Sequence, residues 1–514
     1  MIKIVLRMTE FGFRKLQAVI WSIFVLIGIA IVGFTMLSGS LGTTDEQNVR
    51  IFSQLGVVCL LFSIGTWYAV RHEIICPYII YIVTGYIFMY GQCLMWAFYI
   101  PVEHKSLYDR YTDAEILPAQ VFTLLCLLAL HIGSLLVCKP VADKRTLSPD
   151  ITKTSEYKRE LDLSYKSIKY AGWILFGVSV VPYFYRTITQ LIYISTHSYN
   201  SALQLEGSSS RLDKLIVFIS SYFFISLFLL LIAYQHNRFI KACAISLVAI
   251  SSLINLYVGN RAASFILILC LICAWHYLIK PIKIKQIIIV IIIFYLVLTM
   301  GTVVGAVRNM SGRSLSDYFD AYSILSQEEN PVVSLFGEMG WQLSNTVEMT
   351  NRIPEQYPFR YGSSYMYSLT TIIPNLGFWD LHPAAVHSNL SDWLQGIMNY
   401  HSGPGFSPVA EAFLNFGWFG VFFMILEGAI LGRFLSASNK YSIYYTPENL
   451  SLGFAFLLGA LRDSVRSSSL TLIRDILYNV IPIILLIIVI KYTINSFERR
   501  REATNQSVRL TKHN

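Results

Sequence analysis

Six arginines and three proton-active side chains carry the chemistry that this sequence can support. Arg261 stands in Gly259-Asn260-Arg261-Ala262-Ala263-Ser264, directly between two apolar runs. Arg308 follows another apolar run, with Arg313 five residues on and Arg360 further along the same polar stretch. Arg462 and Arg466 flank a short turn and, four residues apart, would share one helix face. A guanidinium is permanently charged and grips phosphate oxygens as a two-pronged fork, with no need for a metal. The plainer reading of each arginine is a snorkelling cap at the end of a span. Three residues could take a proton from a hydroxyl. His401 and Ser402 directly precede Gly403-Pro404-Gly405, and histidine is the residue type whose ordinary pKa lies near neutrality, as a base for a hydroxyl needs. Glu338 and Glu411 are its rivals, and Glu411 could equally pair with an arginine or cap the first turn of its helix.

The elements that must position these residues are membrane spans. Of 514 residues, 54% are hydrophobic and only 14% charged, against about 25% charged in soluble domains. The expected fold is an all-α polytopic membrane protein. Runs of about 20 apolar residues give about twelve spans, at 16–37, 51–70, 74–100, 119–137, 170–194, 215–234, 240–258, 262–279, 287–305, 409–431, 450–461 and 470–490. The eleventh is short. The chain then divides into a nine-span bundle (1–305), one large loop (306–408), three further spans (409–490) and a basic tail (491–514).

Positive charge sets the expected orientation. Lys3, Arg7, Arg14 and Lys15 put the N-terminus in the cytoplasm. Alternation through twelve spans then places the basic loop from Lys139 to Lys169, the Lys280-Lys283-Lys285 group and the basic tail on the same side. It places 306–408, Gly259-Asn260-Arg261 and Arg462 to Arg466 outside the cytoplasm. The stretch from Arg308 to Gly405 contains four arginines, no lysine and a surplus of Asp and Glu. Its many aromatics suit either an interfacial belt or stacking on sugar rings. The net charge of +9 reflects topology and implies no nucleic-acid partner. Asp317 and Asp320 are too few for a metal site, and Cys270 and Cys273 lie within a span as packing residues. No Walker loop, G-x-S-x-G elbow or H-E-x-x-H helix occurs. No cofactor is expected.

The run Gly403-Pro404-Gly405-Phe406-Ser407-Pro408-Val409-Ala410-Glu411-Ala412-Phe413-Leu414-Asn415-Phe416-Gly417-Trp418-Phe419-Gly420 resembles the signature of bacterial O-antigen polysaccharide polymerases of the Wzy type. Tyr361-Gly362-Ser363-Ser364-Tyr365, Ile373-Pro374-Asn375, Gly259-Asn260-Arg261, and Arg462 followed by a last span with Pro482 are similar to further parts of that pattern. The motifs cover about 258–490; the first half resembles the family in hydropathy alone. The resemblance implies a metal-independent glycosyltransferase acting on oligosaccharide repeats linked to undecaprenyl pyrophosphate. The growing chain would move onto a new repeat. Arg261, Arg308, Arg313, Arg360, Arg462 and Arg466 would bind the substrate, and His401, Glu411 or Glu338 would do the proton work. It also implies a chain-length regulator and a flippase as neighbours in the membrane. The rivals are an O-antigen ligase and, from another class, a flippase or transporter of lipid-linked oligosaccharide. One large loop on one face and no internal repeat speak against a transporter.

Overall fold

The computed structural model describes residues 2–40, 42–103, 105–138, 155–199, 201, 211–311, 314–328, 330–373, 379–399, 404–436 and 446–511. They are mostly helical, with no strand among them, and the chain is an all-α polytopic membrane protein. Among the described residues, ten helices are long and apolar enough to cross a membrane. They coincide with ten of the twelve expected segments. The fifth, 170–194, lies inside the continuous 40-residue helix Ser155–Ile194, which is not among the ten. The eleventh is the helix Pro447–Gly459, of 13 residues, about 20 Å at 1.5 Å per residue and well short of a bilayer core.

The helix Asp113–Val137 is the central post. Its residues from Ile116 to Leu135 are apolar on nearly every face, so the whole circumference is buried. Glu115 closes its start by accepting from the Thr112 amide at 2.8 Å. Ser134 Oγ donates to the Gly428 carbonyl at 2.8 Å, fastening the post to the helix Gly420–Leu435.

The polar stretch is not a separate body. Its helices Leu343–Arg352 and Leu390–Met398 send Leu343, Val347, Met349, Leu390 and Leu394 into the same buried core as the spans, and Leu335 of the helix Pro331–Gly340 joins a second cluster with Phe265 and Leu298 of two spans. One close approach fixes its position. A Cβ on Gly340 would lie 2.4 Å from the Gln92 backbone nitrogen, so only glycine lets Pro331–Gly340 lie against Pro77–Trp96. Gln92 is itself fully buried. Its Nε2 donates to the carbonyls of Lys105 (2.8 Å) and Gly337 (2.9 Å), and its Oε1 accepts from the Leu107 amide at 2.9 Å. One glutamine thus ties the polar stretch to the loop after Trp96.

The segment 363–373 forms the helix Ser363–Leu369 and a tight turn at Thr370–Ile372. Met366, Leu369, Ile372 and Ile373 point outward from it, while Ser364 and Ser368 face the bundle, fully buried.

Candidate functional site

The helix Arg238–Val258 ends at Gly259. Asn260 then opens the next helix, its Oδ1 accepting from the Ala263 amide at 3.3 Å. Arg261 is the first residue of that helix, Arg261–Ala274. The helix dipole disfavours a cation at an N-terminus, so something else must hold it. Its Nη2 donates to Glu338 Oε1 at 2.8 Å and its Nη1 to the Gly301 carbonyl at 3.3 Å. Lys105 Nζ reaches the same Glu338 oxygen at 3.7 Å.

Burial alone would raise the Glu338 carboxyl, but Arg261, Lys105 and Arg308 outweigh it and hold the group down at about 2. Such a carboxylate is a counter-ion at neutral pH and a weak base. Its folded pKa lies below the unfolded value of about 4.3, so its stabilisation is complete above that value and is lost as pH falls toward about 2. The purified protein in detergent should therefore melt at progressively lower temperature across that window. Glu338→Gln should flatten this part of the profile.

Arg308 caps the helix Ile284–Val307. Its guanidinium lies 5.6 Å from the centre of the Tyr199 ring, and its carbonyl accepts from the Tyr199 amide at 3.0 Å. Its Nε is buried without a hydrogen-bond partner. Burial and then the nearby Arg261 depress its pKa. The short buried helix Pro447–Gly459 leads into Leu461–Arg466, which brings two more arginines to the same place. Arg462 forms a fork with Asp463, Nε to Oδ1 at 3.2 Å and Nη2 to Oδ2 at 3.0 Å. Arg466 makes no ion pair among the described residues. Burial, then Arg462, lowers its pKa, and Glu338 and Arg261 lie close enough to act on it as well. Four arginines from distant parts of the chain therefore gather with Lys105 around Glu338 and Asp463. Two of them, Arg308 and Arg466, still have donors to offer an anion.

Gly405 and Phe406 pack against the Arg466 backbone. Gly405 has φ +73°, a backbone conformation that favours glycine, and a Cβ on it would meet the Arg466 carbonyl at 3.2 Å. The next amide, of Phe406, donates to that carbonyl at 3.1 Å. Ser407 then caps the helix Pro408–Phe416, accepting from the Ala410 amide at 3.0 Å. Glu411, in its first turn, is fully buried. Ser364 Oγ donates to Oε1 at 2.6 Å, Ser469 Oγ to Oε1 at 2.7 Å, and the Ser469 amide to Oε2 at 2.6 Å. Asn415 extends the network, donating to Ser364 Oγ at 2.8 Å and accepting from the Gly362 amide at 2.9 Å. The GPGFSP…E…N pattern and the Tyr361–Tyr365 pattern therefore meet, and their shared polar atoms satisfy one another.

Arg360 lies in this second network. Its amide donates to the Leu414 carbonyl at 3.0 Å, its Nη1 to the His387 carbonyl at 2.8 Å, and its guanidinium covers Trp393 at 4.8 Å. Glu411, not Glu338, is the carboxylate acting on it. His401 and Arg313 lie outside the described residues.

The family model for O-antigen polysaccharide polymerase Wzy matches residues 18–496. The chain belongs to the O-antigen polysaccharide polymerase Wzy family. The match reaches far into the first half, where the sequence offered only hydropathy, and that half supplies Lys105 and Tyr199 to the arginine centre and the Gln92 that holds the Lys105 loop. No curated protein and no solved structure matches the chain. The sequence reading passed over all three of those residues. One signal could have found two of them: Lys105 and Tyr199 fall in loops that the same charge alternation puts on the face of Arg261.

Proposed function

We propose that the four-arginine centre binds the pyrophosphate of a lipid-linked oligosaccharide and that the chain polymerises such repeats at the outer face of the bacterial inner membrane. The observation that carries this reading is the surplus of arginine donors. Arg308 Nε is buried and unpaired, and Arg466 faces the centre without an ion pair among the described residues. The buried Arg308 donor, unpaired among like charges, is costly unless an anion completes it, and Arg466 adds exposed donors beside it. A membrane-borne pyrophosphate supplies several oxygens at that depth.

In this mechanism the anomeric carbon of the growing chain breaks its bond to the pyrophosphate oxygen and bonds to a hydroxyl of the incoming repeat. The hydroxyl proton passes to a base, and undecaprenyl pyrophosphate departs with its charge held by Arg261, Arg308, Arg462 and Arg466. The arginines take the part a metal ion plays in other transferases. His401, three residues before Pro404 in the sequence, is the proposed base. Glu338 holds Arg261 and Lys105 in place between turnovers. Glu411 and Arg360 are positioning residues that set the turn against Arg466. Both termini are cytoplasmic in this reading, and a flippase and a chain-length regulator act beside the enzyme.

Deleting the gene tests the reading against its rivals. Loss of a polymerase leaves a single repeat on the surface lipid. Loss of a ligase or of a flippase leaves none, and that outcome would contradict the proposal.

A further inference from the structure

A cavity of about 380 Å³ opens beside the loop that carries Lys105. It lies between the start of the helix Asp45–Arg71 and the segment from Trp96 to Asp113. Its walls combine aromatic faces with charged hydrogen-bonding groups. Trp96 and Tyr108 have ring centres 4.7 Å apart with planes inclined at 40°. Tyr99 is two-thirds exposed and lies beneath the Arg50 guanidinium, 4.6 Å from the ring centre. Arg50 Nη2 is also bonded to Glu46 Oε1 at 3.0 Å. Tyr108 Oη donates to Asp113 Oδ1 at 2.8 Å. Tyr99 holds φ +59°, an unfavourable conformation for a bulky residue that keeps its ring at the cavity mouth.

The lining selects among ligands. Two carboxylates against one arginine would repel an anion, which excludes a second phosphate site. A lipid tail would take water from the Glu46–Arg50 pair and from the Asp113 carboxylate and offer their remaining hydrogen-bonding sites nothing in return. A sugar ring suits both halves of the lining. Its C–H face packs on an aromatic ring, and its hydroxyls, each donor and acceptor, meet carboxylates and a guanidinium. The volume falls within the range of small-ligand sites, about 300–1,000 Å³.

The cavity is also coupled to the arginine centre. The loop between Trp96 and Asp113 lines the cavity through Tyr99 and Tyr108, while its Lys105 reaches Glu338 at 3.7 Å. Gln92 holds the loop by bonding the Lys105 carbonyl and the Leu107 amide. We propose that this cavity is a saccharide-binding subsite, holding sugar residues of the glycan while its pyrophosphate occupies the arginine centre. The inference rests on the polymerase reading for its role, but the binding itself can be measured without catalysis.

The test uses the purified full-length protein in detergent. The probe is the short polysaccharide released by mild acid from the host's own surface lipid, which carries no pyrophosphate. Saturation-transfer NMR should detect binding to the wild type. Tyr99→Ala and Trp96→Ala should weaken it by about tenfold, the effect of losing one well-packed aromatic contact, and Tyr108→Phe should weaken it less. Arg261→Ala should bind the probe as the wild type does. In cells, Tyr99→Ala should shift the chain-length ladder toward short chains. Because Tyr99 is exposed, its variant keeps the test valid if Trp96→Ala does not fold. No binding to the wild type, or equal binding to Tyr99→Ala and the wild type, would overturn the subsite. A full ladder in Arg261→Ala cells would count against the arginine centre instead.

Discussion

Cells whose only copy carries Arg261→Ala are expected to display surface lipid bearing one repeat and almost no ladder. Removing a single preorganised donor from a site that stabilises developing charge costs about 10²–10³ in rate, which in a processive reaction removes the long chains first. Arg308→Ala should do the same, because its unpaired Nε is among the donors left for the leaving group. Lysine should not rescue either position. An ammonium is a point charge and cannot bond two phosphate oxygens in a fixed plane. Protein abundance must be measured alongside, because Arg261→Ala also leaves Glu338 with Lys105 as its one close ion-pair partner. A normal ladder at normal abundance in Arg261→Ala cells would remove this residue from the site.

The second large effect concerns Glu411 and would arise differently. Glu411→Ala strands the fully buried Ser364 hydroxyl and takes the acceptor from the half-buried Ser469 amide, while the Ser469 hydroxyl keeps Ser368 as a partner. An unsatisfied buried group costs about 1–3 kcal/mol, so the loss should be on the order of 3 kcal/mol and show as low abundance in the membrane. Glu411→Gln keeps the shape and one acceptor, and serine hydroxyls can turn to accept from its amide. It should accumulate to more than Glu411→Ala does and polymerise in proportion to the folded protein. If Glu411→Gln were abundant, stable and wholly inactive, Glu411 would be acting on the proton instead of on the turn.

The contrast between these two glutamates shows what a single sequence can reveal. Burial of Glu411 at the head of a span was legible from Ala410-Glu411-Ala412. Its partners were not, because Ser364 and Ser469 stand 47 and 58 residues away and serines leave no pattern in a hydropathy trace. The gathering of Arg261, Arg308, Arg462 and Arg466 was half legible. Charge alternation put all four on one face, but convergence depends on helix packing that no local pattern records. The short helix Pro447–Gly459 is instructive here. As an apolar run it reads as a weak span, yet its shortness is what delivers Arg462 and Arg466 to the centre. Arg360 was grouped with the other arginines by its neighbourhood in the polar stretch, and folding places it against Trp393 and the His387 carbonyl. In the sequence the aromatics stand out most in the long stretch. There Tyr365 packs on Phe423 at 4.2 Å and Tyr357 meets Trp393 at 5.6 Å, whereas the rings that line a cavity come from the loop after Trp96.

The most direct test of the central claim is reconstitution. The purified protein in liposomes, given synthetic undecaprenyl-pyrophosphate repeats in the presence of a chelator, should build a ladder of products resolved on a gel, and Arg308→Ala should not. Failure of the wild type to extend the repeats under any condition would contradict the account, and a ladder that required added metal would contradict its arginine-based mechanism.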